Sequence, residues 1–184
     1  MVASFISKKG HVATIPLIEQ KTVTASWYVN ICMPQVIEKW SILHPKAYLT
    51  SLQWHHDNTS AHKAALTMDF FAENGIKLIP LPAYSPDLAP CDFFLFPKLK
   101  KKIEGIHFNG ARLVYNEALQ DITKEDWENC FESWFRRMDL CIQSSDSKYF
   151  FGLPSYPRKP KKILSGAPQL ALRGSGKEKK DVPL

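Results

Sequence analysis

A chain of 184 residues with 45% hydrophobic and 12% aromatic residues has room for one domain with a real core and is too apolar for a disordered protein. Its net charge of +6 lies wholly beyond Gly152: residues 153–184 hold 8 Lys or Arg against 2 Asp or Glu, whereas residues 1–152 carry 16 of each. That distribution excludes reading the folded part as a generic basic nucleic-acid binder, and no apolar run approaches the roughly 18 residues a membrane span needs.

Residues 2–7 and 12–18 are short β-rich runs, and Lys9-Gly10 between them predicts a hairpin. The first run is too short for a signal-peptide core. Pro16 belongs at an edge or a bulge, since it cannot donate to a ladder. Residues 25–43 predict a helix with Trp27, Ile31, Val36 and Trp40 on one face, kinked or interrupted at Pro34 and ended by His44-Pro45. Residues 50–56 predict a strand leading to Asp57. Ser60 then caps a helix over 61–73 that turns Ala61, Ala65, Met68 and Phe71 or Ala72 inward, with Asn74-Gly75 as its stop.

Residues 76–82 predict the next strand, and the proline-rich loop 82–90 is a stiff connection. A helix follows Cys91, with Phe93, Phe94, Leu95, Phe96 and Leu99 as its apolar residues and Lys98, Lys100, Lys101 and Lys102 towards its end. Residues 123–143 are the strongest helix in the chain. Thr123 with Asp126 approximates a capping box, and Trp127, Cys130, Phe131, Trp134, Phe135, Met138, Cys141 and Ile142 keep to one face. Cys32, Cys91, Cys130 and Cys141 form no C-x-x-C pair and read as reduced thiols of an intracellular protein. Beyond Gly152 the composition turns to Pro, Lys, Gly and Ser, predicting a disordered basic tail over 153–184 behind a domain of 1–152.

Two acids stand out. Asp57 falls where a strand ends and Asp92 where a helix begins, positions that converge beyond the carboxyl ends of strands in parallel α/β sheets. Convergent carboxylates suit a hard cation such as Mg²⁺, and such ions serve in-line phosphoryl transfer. Turn and N-cap roles account for the same two residues on residue type alone. A zinc site from His55, His56, Asp57 and His62 is disfavoured, because adjacent strand residues point to opposite faces.

His56-Asp57-Asn58, followed by Tyr84-Ser85-Pro86-Asp87-Leu88-Ala89-Pro90-Cys91-Asp92-Phe93, resembles the catalytic half of a mariner-family transposase, with 34 residues between Asp57 and Asp92 as between that family's second and third aspartates. The similarity runs from about residue 3 to about residue 152, and 106–122 departs from the family pattern. The resemblance implies a ribonuclease H-like α/β fold, a mixed sheet flanked by helices. It makes Asp57 and Asp92 catalytic residues and ligands of Mg²⁺ or Mn²⁺, and His56, Asn58, Lys98, Lys100, Lys101 and Lys102 candidate DNA contacts. His56 reads equally as a packing residue, and the lysines as a solvated helix end.

The resemblance further implies DNA, with transposon ends as the family's target, as partner, homodimerisation through segments not found here, no membrane role, and a nuclear location. The family's first aspartate, on a first strand lying centrally in the sheet, has no counterpart in 1–152. The expectation is therefore a sheet without its middle strand, weak metal binding, and a transposase relative that has lost strand cleavage and transfer. The alternatives are a nucleic-acid-binding or protein-interaction module derived from a transposase, and a relic without function.

Overall fold

The computed structural model describes residues 1–18, 21–104, 115–143 and 163–170. β1 (Val2–Ser7) and β2 (Gly10–Pro16) form the expected antiparallel hairpin, Ser7 pairing with Gly10, whose φ of +128° suits only glycine. β2 is the outermost strand and Pro16 its last residue, so the missing donor removes nothing from the ladder. β3 (Gln53–His55) and β4 (Lys77–Ile79) are parallel and shorter than expected.

The sheet contradicts one expectation. β5 (Ile163–Leu170), within the predicted disordered tail, is its central strand, and the order is β2-β1-β5-β3-β4. β5 runs antiparallel to β1 and parallel to β3, with Phe5 opposite Gly166 and His55 opposite Ser165. Without it β1 and β3 would each present a row of unpaired N–H and C=O groups inside the molecule, a cost that buried backbone almost never bears. The tail supplies the middle that the N-terminal part lacks. Residues 144–162 and 171–184 lie outside the described residues, as does 105–114, which includes much of the stretch that departs from the family pattern.

Both faces of the sheet are covered. On one side α1 (Ala25–Trp27), a wide π turn (Tyr28–Cys32), α2 (Met33–Leu43), α3 (Ser60–Lys63) and α4 (Ala65–Glu73) accompany a cluster with Phe5, Trp27, Tyr28, Trp40, Trp54, Phe71 and Leu164. On the other a second π turn (Cys91–Leu95), α5 (Phe96–Ile103), α6 (115–120) and α7 (Lys124–Gln143) bring Leu95, Leu99, Trp127, Phe131 and Trp134 onto Ile6 and Ile79. Alternation along β1 divides Phe5 from Ile6 between the two clusters. No helix among the described residues is long and apolar enough to cross a membrane.

Each π turn is followed by proline at the start of a helix, Pro34 in α2 and Pro97 in α5. Proline has no N–H for the carbonyl four residues back, and its ring collides with that group. One widened turn absorbs the misfit without breaking the helix, so Pro34 does not stop it. The extra residue rephases the helix: Trp27, Val36 and Trp40 are buried, whereas Ile31 is 46% exposed.

The 61–73 helix also departs from expectation. Ala64 has extended backbone (ψ 146°) and divides α3 from α4, and the cap is Thr59, without a side-chain bond, not Ser60. Beyond this break Thr67 and Phe71 turn inward, and Met68, predicted core, is 43% exposed. At α7 the capping box forms as predicted: Asp126 Oδ2 accepts from Thr123 N at 3.1 Å, and Asp126 N donates to Thr123 Oγ1 at 3.1 Å. Ile142, on the far turn of that helix, is 45% exposed rather than buried.

Candidate metal and nucleic-acid site

β3 delivers three consecutive side chains to different environments. His55 turns towards α7, its ring 4.8 Å from Trp134 and its Nδ1 3.2 Å from the Ile79 carbonyl. His56 turns to the opposite face, its Nδ1 3.0 Å from the Tyr28 hydroxyl. That hydroxyl accepts from Trp54 Nε1 at 3.0 Å, which leaves its own proton for His56. At 5% exposure His56 takes the packing role, not the DNA contact. Asp57, the next residue, emerges at the sheet rim.

Asp57 is held from behind. Its Oδ1 accepts from His62 Nδ1 at 2.7 Å and from the Thr59 backbone N–H at 3.2 Å. His62 is 1% exposed, stacked 4.3 Å from His56 and 4.3 Å from the Tyr28 ring, and its Nε2 has no hydrogen-bond partner. An ionised carboxylate only accepts, so Nδ1 carries the proton, and the Thr59 side chain adds a further hydrogen bond to the carboxyl. Sequence reasoning met His62 only as a doubtful zinc ligand. The signal it missed is spacing: a histidine five residues after a strand-end aspartate, on the first turn of a helix, can reach back to it.

Asp92 lies in the π turn Cys91–Leu95, its N–H donating to the Ala89 carbonyl at 2.9 Å. The proline-rich 82–90 loop and the widened turn bring it to the space in front of Asp57. Both line one cleft of about 600 Å³, together with Asn58, Lys63 and residues 81–86, Tyr84 among them. Asn58 Nδ2 donates to the Leu81 carbonyl, tying the exit of β3 to this loop.

The two carboxylates are shifted in opposite directions. Burial pushes Asp57 up, but the hydrogen bond and charge of His62, with Thr59, outweigh it and hold the carboxyl below 3.8. Burial, then the charge of Asp57, push Asp92 above 3.8, against a pull from Lys100. Oxygen donors, repulsion between two carboxylates and an open cleft fit a hard divalent cation.

Among the described residues no group of three or more His, Cys, Asp or Glu converges. β5 explains part of this. The strand beside β3 contains no acidic residue.

The expected lysine contacts separate. Lys98 pairs with Asp126 at 2.7 Å and Lys102 with Asp121, so both are held on the α5 surface. Lys100 and Lys101 are exposed, and none of the four lines the cleft. The cation that does line it is Lys63, which sequence reasoning passed over.

No family model matches the chain. It is 28% identical over 98 residues to the histone-lysine N-methyltransferase SETMAR of Homo sapiens, covering 52% of this chain and 14% of that protein. It is 26% identical over 110 residues to the mariner Mos1 transposase of Drosophila mauritiana, covering 60% of this chain and 26% of that one. The chain thus spans about a quarter or less of these relatives. Among solved structures it resembles the Mos1 transposase catalytic domain with raltegravir and Mn, with a TM-score of 0.71 and 22% identity over 81% of this chain and 76% of that one. The same domain with raltegravir and Mg gives 0.66 and 25% over 81% and 76%. The Mos1 paired-end complex with the left transposon end gives 0.70 and 22% over 81% and 44%. In sequence and in fold this chain is thus similar to the catalytic domain of the mariner Mos1 transposase.

Proposed function

We propose that this chain is a transposase-derived DNA-binding domain that holds one divalent cation between Asp57 and Asp92 and has lost efficient strand cleavage. The observation that carries this is the meeting of two carboxylates, from distant elements, on one cleft where Asp92 feels the charge of Asp57. When bound, Mg²⁺ or Mn²⁺ would polarise a phosphate and lower the pKa of a water. Asp57 and Asp92 would hold the ion. Paired ions normally clamp both the attacking and the leaving oxygen, and two carboxylates are a thin ligand set for a pair. The whole relatives' work at transposon ends would need more than this domain, and a nuclear location follows from a DNA substrate.

The test is Mn²⁺ titration calorimetry beside nicking of supercoiled plasmid. Asp57→Asn and Asp92→Asn are each expected to abolish Mn²⁺ binding, and wild-type nicking to stay at the level of Asp57→Asn. Equal Mn²⁺ binding in all three proteins removes the metal site from this cleft. Nicking well above the variant's rate shows that two carboxylates suffice and overturns the loss of cleavage.

His62 acts through Asp57. Groups that orient a metal-binding carboxylate typically cost 10–100-fold in metal affinity when removed. His62→Phe keeps an aromatic ring beside Tyr28 but donates nothing, and should weaken Mn²⁺ binding about tenfold with little change in the urea midpoint. His62→Asn, which can still donate, should recover part of that affinity. Equal weakening by both variants would make His62 a packing residue only.

A further inference from the structure

We infer that Arg137, on α7, is a positioning residue that holds Asp92 towards Asp57 for the divalent cation by clamping the turn that carries it. This rests on the proposed function for the cation, and adds what keeps the second carboxylate in place.

The Arg137 guanidinium lies 4.1 Å from the centre of the Phe93 ring, and its Nη1 donates to the Asp87 carbonyl at 3.0 Å. It therefore grips the chain on both sides of Asp92. A planar guanidinium can stack on a ring and donate in its own plane at once, which an ammonium cannot. Among the described residues Arg137 makes no ion pair with a carboxylate, so its head group is committed to this contact. The next ring is held as well. Phe94 meets Trp127 edge-on at 5.4 Å, and Lys98 Nζ lies 4.9 Å from its centre. Trp127 and Arg137 sit about 15 Å apart along α7, so consecutive rings of the turn are gripped from two places on one helix.

Asp92 needs such a hold. Its turn is widened, the Phe96 N–H reaching back five residues to the Cys91 carbonyl, and turns of this kind are rare and gather at functional sites. The carboxyl is half-buried and feels the charge of Asp57. Repulsion and hydration both draw it out of the cleft towards water. Packing behind the turn opposes that, and Arg137 on Phe93 supplies it. The sign of the effect separates this role from plain charge. A nearby cation repels Mn²⁺, so removing its charge alone strengthens binding, whereas removing a brace weakens it.

The test uses the full chain. Calorimetry measures Mn²⁺ affinity, and hydrogen–deuterium exchange without metal follows residues 91–96. Arg137→Met keeps an aliphatic stem over the ring but loses the guanidinium. It should weaken Mn²⁺ binding about tenfold, speed exchange at 91–96, and leave the urea midpoint little changed. Arg137→Lys, still a cation that can sit over the ring, should recover part of the affinity. Phe93→Leu should weaken binding as Arg137→Met does, and the double variant should be no weaker than either single one. Mn²⁺ binding by Arg137→Met as tight as wild type or tighter, or losses that add in the double variant, overturns the inference. A wild type that binds no Mn²⁺, beside an Arg137→Met that still speeds exchange at 91–96, refutes the metal reading and leaves the brace on the turn. Unchanged exchange beside intact wild-type Mn²⁺ binding removes the brace and leaves the metal site.

Discussion

Deleting residues 161–184 is expected to leave a chain with helical far-ultraviolet circular dichroism but no cooperative urea transition. The deletion removes β5, which among the described residues is the one strand joining the β1–β2 hairpin to the β3–β4 pair. Both flanking ladders open inside the molecule, and Leu164, fully buried, leaves the cluster that contains Phe5 and Trp54. Net stabilities of domains are about 5–15 kcal/mol, and losing two ladders with their packing is on that scale. A synthetic peptide spanning 161–172, added in excess, should restore the transition by filling the slot. An unchanged midpoint and slope in the truncated chain would show that β5 contributes nothing to the sheet.

A point substitution tests the same joint. A Cβ at Gly166 would lie 2.2 Å from the Phe5 ring, which packs over the glycine and 5.4 Å from Trp54. Gly166→Val should cost about 3 kcal/mol, the upper range for overpacking. Adding Phe5→Ala should return part of that, because the clashing ring is gone, and a double-mutant cycle measures the coupling.

The β5 segment also marks the limit of what could be read from residues. Ile163 to Leu170 contains Gly166 and Pro168, follows a Pro-Lys run, and lacks the alternation of a half-buried strand. Local propensity argues against it. It becomes a strand because β1 and β3 offer two ladders and few segments can reach them, a tertiary demand invisible in a short window. Where local chemistry decides, the reading holds: the Lys9-Gly10 hairpin, the Thr123–Asp126 cap, and the stop at Asn74-Gly75, where Gly75 adopts φ +62°.

The site divides in the same way. Asp57 and Asp92 were legible because their place at element ends follows from periodicity and from a long motif. Lys63, Tyr84 and the partnership of His62 with Asp57 were not. Those depend on where the 82–90 loop folds back, on the break at Ala64 that ends α3 after Lys63, and on π turns that shift helical phase by one residue. A carboxylate can be placed from spacing alone, but what surrounds it requires the fold.

Acidification should unfold this protein well above the pH at which carboxylates titrate. Burial depresses His55 to about 4, against weaker upward pulls from the Ile79 and Leu88 backbone and Asp57. Burial likewise brings His11 to about 4, against an upward pull from the Ala13 backbone and aided by Lys39. His56 lies well below its ordinary range through burial, then the neighbouring His62 and His55. In the unfolded chain all three take up protons near pH 6.5. Between there and about pH 4 the unfolded state binds more protons, so stability falls as pH falls, at up to about 1.4 kcal/mol per pH unit for each histidine.

Asp57, depressed in the fold, adds a loss in the same direction only below its ordinary 3.8, and Asp92, raised, opposes it weakly just above. The urea midpoint should be flat from pH 8.5 to 7 and drop steeply from 6.5 to 4.5, by several kcal/mol. His11→Gln should flatten part of that slope, since an amide can keep the hydrogen bond His11 makes to the Thr14 hydroxyl at 2.9 Å without titrating. A midpoint unchanged between pH 7 and 5 would mean that these rings meet water in the folded protein, and would displace His55 and His56 from the opposite-faced packing that sets Asp57 at the rim.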